Sequence, residues 1–206
     1  MARQTDEQFL QEHYQWFQKS YHWHDKAVSL RAMANALYSK ALPGLRRYEK
    51  ARNVALKELQ HRSIVPIKAV EPDVLPAIAL YGVALENAFK GLMVSKDLTL
   101  IGARKLSPKL RSHKLVELAR DAGISLSPSE EYLLKWVSEV VIWKGRYPVP
   151  TNTERATHMF HPLDNVTLES TRSKFQELRA VFARIEKALP RRRMRLRFGA
   201  LVRLDD

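Results

Sequence analysis

Two charged residues interrupt the most apolar stretch of the chain. Glu86 and Lys90 stand four apart within residues 73–96, a run that is otherwise almost wholly apolar. That spacing puts both on one face of a helix, and glutamate on the N-terminal side is the favourable order for an i,i+4 pair. Charges on so apolar a helix need partners or an opening to water. They read either as an ion pair at the core's edge or as the lining of a site in which Lys90 faces a phosphate. His113, in Ser112-His113-Lys114-Leu115, is expected in the first turn of a later helix. An imidazole there can serve as acid or base and move a proton, or it can pack locally beneath a Ser112 cap. Arg146 follows Trp143-Lys144-Gly145 at a helix end. A guanidinium there can bond the last carbonyls or fork onto a phosphate. Tyr147 beside it can stack on a base. The tail adds Arg191, Arg192, Arg193, Arg195 and Arg197, alternating with Met194 and Leu196 in its second half. That pattern fits a short strand, a partner-docking segment or a disordered arm.

Other chemistries are disfavoured by residue type and spacing. The chain has no cysteine, which excludes a disulfide framework, a thiolate zinc site and a cysteine nucleophile, and fits a reducing cytosol. His158, His161 and Asp164 are close in sequence, but Pro162 breaks any shared helical face and no fourth ligand is evident, so no metal is expected. Serine-nucleophile motifs, phosphate-cradling glycine loops and dinucleotide fingerprints are absent, and no cofactor is expected.

The 206 residues suffice for one well-buried core, with an ordinary globular composition of 45% hydrophobic and 28% charged side chains. Met1 to Asp6 is polar and lacks the apolar core of a signal peptide. The longest apolar run, residues 74–94, contains Glu86, Asn87 and Lys90, so it is expected to be a buried core helix and not a membrane span. The formal charge is +13, which favours a polyanionic partner such as nucleic acid. Residues 190–206 hold six arginines and two aspartates, so most of the excess belongs to the body.

The elements that must position these residues are helices. Residues 6–42 carry large side chains every seventh position (Phe9, Trp16, Trp23, Leu30, Leu37), interleaved with His13, Ser20, Ala27, Ala34 and Ala41. This large/small seam suits close packing against another helix. Pro43-Gly44 is expected to end it. A charged second helix, 45–60, has a thin apolar face of Leu45, Tyr48, Ala51, Ala55 and Leu59. Residues 73–96 should form the central helix, and 97–109 a loop. A helix over 110–122 ends at Gly123, and Ser127-Pro128-Ser129-Glu130 is a capping box opening 128–144. The last helix, 167–189, has Leu168, Phe175, Leu178, Phe182 and Ile185 as its core stripe. The expected fold is all-α: a single-domain bundle of five to six helices over 1–189, with its core at 73–189, and a basic tail at 190–206.

Three of these stretches, covering about a third of the chain, carry a family resemblance. Val83-Ala84-Leu85-Glu86 followed by Lys90-Gly91-Leu92, then Ser112-His113-Lys114-Leu115, then Gly145-Arg146-Tyr147-Pro148, resemble the HEPN superfamily (higher eukaryotes and prokaryotes nucleotide-binding). The resemblance implies a helical bundle, frequently a homodimer. It implies either a metal-independent endoribonuclease of a toxin–antitoxin or phage-defence system, or a non-catalytic module that binds RNA or nucleotides. An antitoxin or another defence-complex protein would then be a partner. Catalytic members carry arginine, four to six residues, then histidine; Arg155 and His161 have that spacing here. In that role the RNA 2′-hydroxyl would be the nucleophile, His161 would move a proton and Arg155 would hold the phosphate. The sequence departs from the pattern twice, with Ala156 where a polar residue is usual and Pro162 directly after the histidine. The non-catalytic alternative uses Glu86, Lys90, His113 and Arg146 around the bound nucleotide.

Overall fold

The computed structural model describes residues 19–59, 66–102, 105–144 and 167–189, and the backbone of 193–197 and 200–204. Six helices make up an all-α bundle among them: α1 (Ser20–Glu58), α2 (Leu75–Lys96), α3 (Pro108–Arg111), α4 (Leu115–Asp121), α5 (Pro128–Glu139) and α6 (Leu168–Ala188). The chain of α5 continues as a π-helical turn, Val140–Lys144. The tail forms an antiparallel hairpin of β1 (Arg193–Arg197) and β2 (Ala200–Leu204), with Arg193 opposite Leu204 and Arg197 opposite Ala200.

Helix α2 is the hub. Fourteen of its 22 residues are buried, and α1, α4, α5 and α6 all pack on it. It alone among the described helices is long and apolar enough to cross a membrane, yet 78% of its most apolar window is buried inside the bundle. Asp73 helps to start it by accepting the Leu75 N–H at 2.9 Å, and Pro76 sits in its first turn, where a missing N–H costs nothing.

Three expectations require correction. Pro43-Gly44 does not end a helix: α1 runs through it for 39 residues. Proline removes one backbone hydrogen bond, but Tyr38 before it and Leu45 after it are both buried in the one core, which keeps the two halves collinear enough to continue. Gly44 serves packing and not termination, because a Cβ there would lie 3.2 Å from the ring of Pro72. The seven-residue seam also drifts. Leu30 is buried, but Leu37 is 41% exposed and Tyr38 takes its place at 3%. A straight helix turns about 20° per heptad away from a strict seven-residue repeat, so the buried stripe moves on by one position. Phe9, His13 and Trp16 lie outside the described residues.

The third correction concerns residues 110–122, which are two short helices with an extended joint at Ser112, His113 and Lys114. Ser112 Oγ accepts the Lys114 N–H at 3.2 Å, a local bond that competes with the helix. The first N–H of α4, from Leu115, is bound at 2.9 Å by Ser138 Oγ on α5, which itself donates to the Leu134 carbonyl. The start of α4 is therefore set by a side chain 23 residues away. Its end is local, as expected. Gly123 has φ +73°, the Gly123 N–H reaches the Arg120 carbonyl and the Ile124 N–H reaches that of Ala119, a Schellman closure.

The capping box of α5 is formed by Ser127 and Glu130, and Thr167 caps α6. Four aromatic rings lock α1, α2 and α6 together. Tyr38 stacks on Phe175 at 3.8 Å between centroids, and Tyr81 meets Phe175 and Phe182 edge-on at 6.1 and 6.2 Å. Burial pushes the Tyr81 hydroxyl up to about 12. Arg31 bonds Glu186 at 2.8 Å across the same α1–α6 seam.

Helix α2 approaches α5 closely at Gly82. A Cβ there would fall 2.4 Å from Val141 Cγ2 and 2.7 Å from Val137 Cγ1. Alanine gains about 1 kcal/mol of helix propensity over glycine. Two valine methyls in a closed core cannot retreat, and overpacking costs about 1–3 kcal/mol. The clash outweighs the gain, so Gly82→Ala will lower stability by up to about 2 kcal/mol, read as a lower urea midpoint at unchanged slope.

An ion pair that local sequence does not announce ties α5 to α6. Glu130, expected only as a cap, is held by both terminal nitrogens of Arg184 at 2.8 and 2.9 Å. The Arg184 hydrogen bonds hold the Glu130 carboxyl below the usual carboxylate range. A depressed folded value contributes stability above the unfolded pKa, which is lost as pH falls through the folded one. Arg184→Ala will therefore cost about 1 kcal/mol at pH 7. As pH falls below the usual carboxylate range and through the depressed folded value, the difference from wild type will shrink toward zero, because Glu130 is then protonated in both states. Urea melts at neutral and acid pH measure it.

Candidate functional site

Three of the residues singled out by chemistry meet at one place. Glu86 and Lys90 lie one turn apart on α2, and Lys90 Nζ donates to Glu86 Oε1 at 2.6 Å. His113 Nδ1 lies 3.0 Å from the other oxygen, Glu86 Oε2. The pair is enclosed, with side-chain exposures of 6% for Lys90 and 10% for Glu86, whereas His113 stands at the surface with 52%. The corrected joint between α3 and α4 explains how the histidine gets there. Extended backbone at Ser112, anchored after it by the Leu115–Ser138 bond, brings residue 113 over α2.

The arrangement has a definite chemical sense. Lys90 neutralises Glu86 and fixes its orientation inside the bundle. A carboxylate at Nδ1 favours the tautomer with the proton there, so Nε2 of a neutral imidazole is left as an acceptor on the opposite side of the ring. Protonation turns Nε2 into a donor and makes His113 a second cation on the carboxylate. The cluster can thus accept or donate one hydrogen bond at the surface through His113, or move a proton. Among the described residues no group of three His, Asp or Glu side chains could hold a metal ion.

Arg146, Tyr147, Arg155, His161, Arg191 and Arg192 lie outside the described residues, as do His158 and Asp164. Arg193, Arg195 and Arg197 take alternate positions of β1. Of the tryptophans, Trp136 is buried and Trp23 partly so against the core; neither offers the exposed platform that base stacking needs. Sequence reasoning missed Ser138, which positions the His113 joint from α5, and Arg184, which grips Glu130. Neither has a local signal, because each acts on a partner 23 or 54 residues away.

The site and fold define an all-α bundle whose central helix carries a buried ion pair that a half-exposed histidine joins. The chain matches no known protein family, no curated protein and no solved structure.

Proposed function

We propose that the chain is an RNA-binding helical module of the HEPN type, acting in the cytosol as a homodimer. The supporting observation is the meeting of Glu86, Lys90 and His113, two of them buried, in a chain of net charge +13. A buried ion pair on the most apolar helix is an expensive thing to keep in a core. His113, half-exposed beside it, is suited to hydrogen-bond a nucleotide, and the basic body and tail are suited to the phosphate backbone. The Arg155 and His161 spacing favours a further step, metal-independent cleavage of RNA by attack of the 2′-hydroxyl, and with it a neutralising antitoxin or defence-complex partner. Without that step the protein is a binding module or a subunit of a larger defence complex.

The experiment is cleavage of labelled single-stranded RNA in chelator by the wild type and by an Arg155→Ala/His161→Ala double variant, beside a salt series of RNA affinity for both. Cleavage by the wild type alone makes the protein a ribonuclease with that pair in its site. Affinity that falls steeply with salt in both, with cleavage in neither, makes it a binding module. No affinity at low salt removes the reading altogether.

A further inference from the structure

A second surface, at the C-terminal end of α1, has a composition the RNA reading does not use. The second half of α1 and the segment containing Pro66 and Lys68 flank an open groove of about 290 Å³. Ala51, Val54, Ala55 and Pro66 give it an apolar lining, and Arg47, Lys50 and Lys68 stand around it against a single carboxylate, Glu58. Val54, in the lining, is 50% exposed.

We infer that this groove docks an acidic, amphipathic segment of a partner protein. Charge complementarity selects the occupant: three cations against one acid favour an anionic ligand. The lining separates the anions. A phosphodiester backbone needs donors and gains nothing from Ala51, Val54, Ala55 and Pro66, while bases need aromatic faces, and no aromatic side chain is among the lining residues. A peptide with apolar side chains at helical or strand spacing, flanked by Asp and Glu, uses both halves of the surface. The volume is at the low end for a small-molecule pocket, which fits a few docked side chains better than a cofactor.

The test is selection of a random peptide library displayed on phage against the immobilised full chain, with Lys50→Glu/Lys68→Glu and Val54→Asp variants in parallel. Lys50 and Lys68 are exposed and Val54 half-exposed, so the thermal melts of the variants should match the parent; the lysine pair carries the test if Val54→Asp does not fold. The expected result is enrichment of sequences rich in Asp, Glu, Leu and Phe. Their synthetic peptides should bind the variants at least about tenfold more weakly by fluorescence anisotropy. Enrichment of other compositions, no enrichment over the variants, or equal binding to all three proteins overturns the inference. Loss of oligouridylate affinity in the lysine variant but not in Val54→Asp would make the groove a nucleic-acid surface instead. A dimer mass in sedimentation that reverts to monomer in Val54→Asp would make the occupant a second copy. Each of those results also overturns it, and none depends on the RNA reading of the Glu86 cluster.

Discussion

Glu86→Ala will destabilise the protein by about 3–5 kcal/mol, the cost of leaving a buried charge without its partner. Lys90 has a side-chain exposure of 6%, and its Nζ bonds Glu86 at 2.6 Å, so no water shell is available to replace the carboxylate. The companion variant separates structure from function. Glu86→Met/Lys90→Met removes both charges and fills the same volume with apolar atoms, and such replacements are often neutral or stabilising. Its urea midpoint should return to within about 1 kcal/mol of wild type. His113→Ala, at a half-exposed position, should cost less than about 1 kcal/mol. RNA affinity then decides the role of the cluster. A Met/Met variant that is stable but has lost affinity marks Glu86 and Lys90 as part of a site. One that keeps both stability and affinity reduces them to a fold feature.

Phe182→Ala will cost about 3–5 kcal/mol, which for a chain of this size corresponds to a fall of roughly 10 °C in Tm. Phe182 is fully buried on α6. Its ring meets Tyr81 of α2 edge-on at 6.2 Å and lies under the Arg31 guanidinium of α1 at 4.5 Å. One truncation therefore removes apolar burial, an aromatic pair and a cation–π contact, all at the junction of three helices. Phe182→Leu keeps most of the volume and should cost less than about 2 kcal/mol. Comparable losses for the two substitutions in differential scanning calorimetry would mean that the ring contacts, and not the filled volume, carry the stability of the junction.

Much of the architecture was legible because it is local. The apolarity of residues 75–96 made α2 the central helix, Ser127 with Glu130 marked the start of α5, and Gly123 marked the end of α4 through the positive φ that closure needs. The stripe Phe175, Leu178, Phe182 and Ile185 set the buried face of α6. The Glu86–Lys90 pair was equally visible, since four residues on a helix fix a contact whatever the rest of the chain does.

Other features required the tertiary structure. Pro43-Gly44 is a breaker by every local rule, yet α1 continues because the cost of one lost hydrogen bond is small beside the burial of Tyr38 and Leu45 in a common core. A one-residue drift of the buried stripe put Tyr38 in place of Leu37, since periodicity tells which face is apolar only to within the mismatch between seven residues and two turns. The position of His113 is the clearest case. Its residue type and its neighbours named it a candidate, but Ser138 from a distant helix ends the competition between helix and extended backbone at residues 112–114, and only that puts imidazole on Glu86. By itself the sequence determined most of the helices, the approximate faces they bury and the residues able to do chemistry, because those depend on interactions within a few residues. Which of those residues share a site was decided by packing, because side chains from separate helices meet only where the whole core lets them.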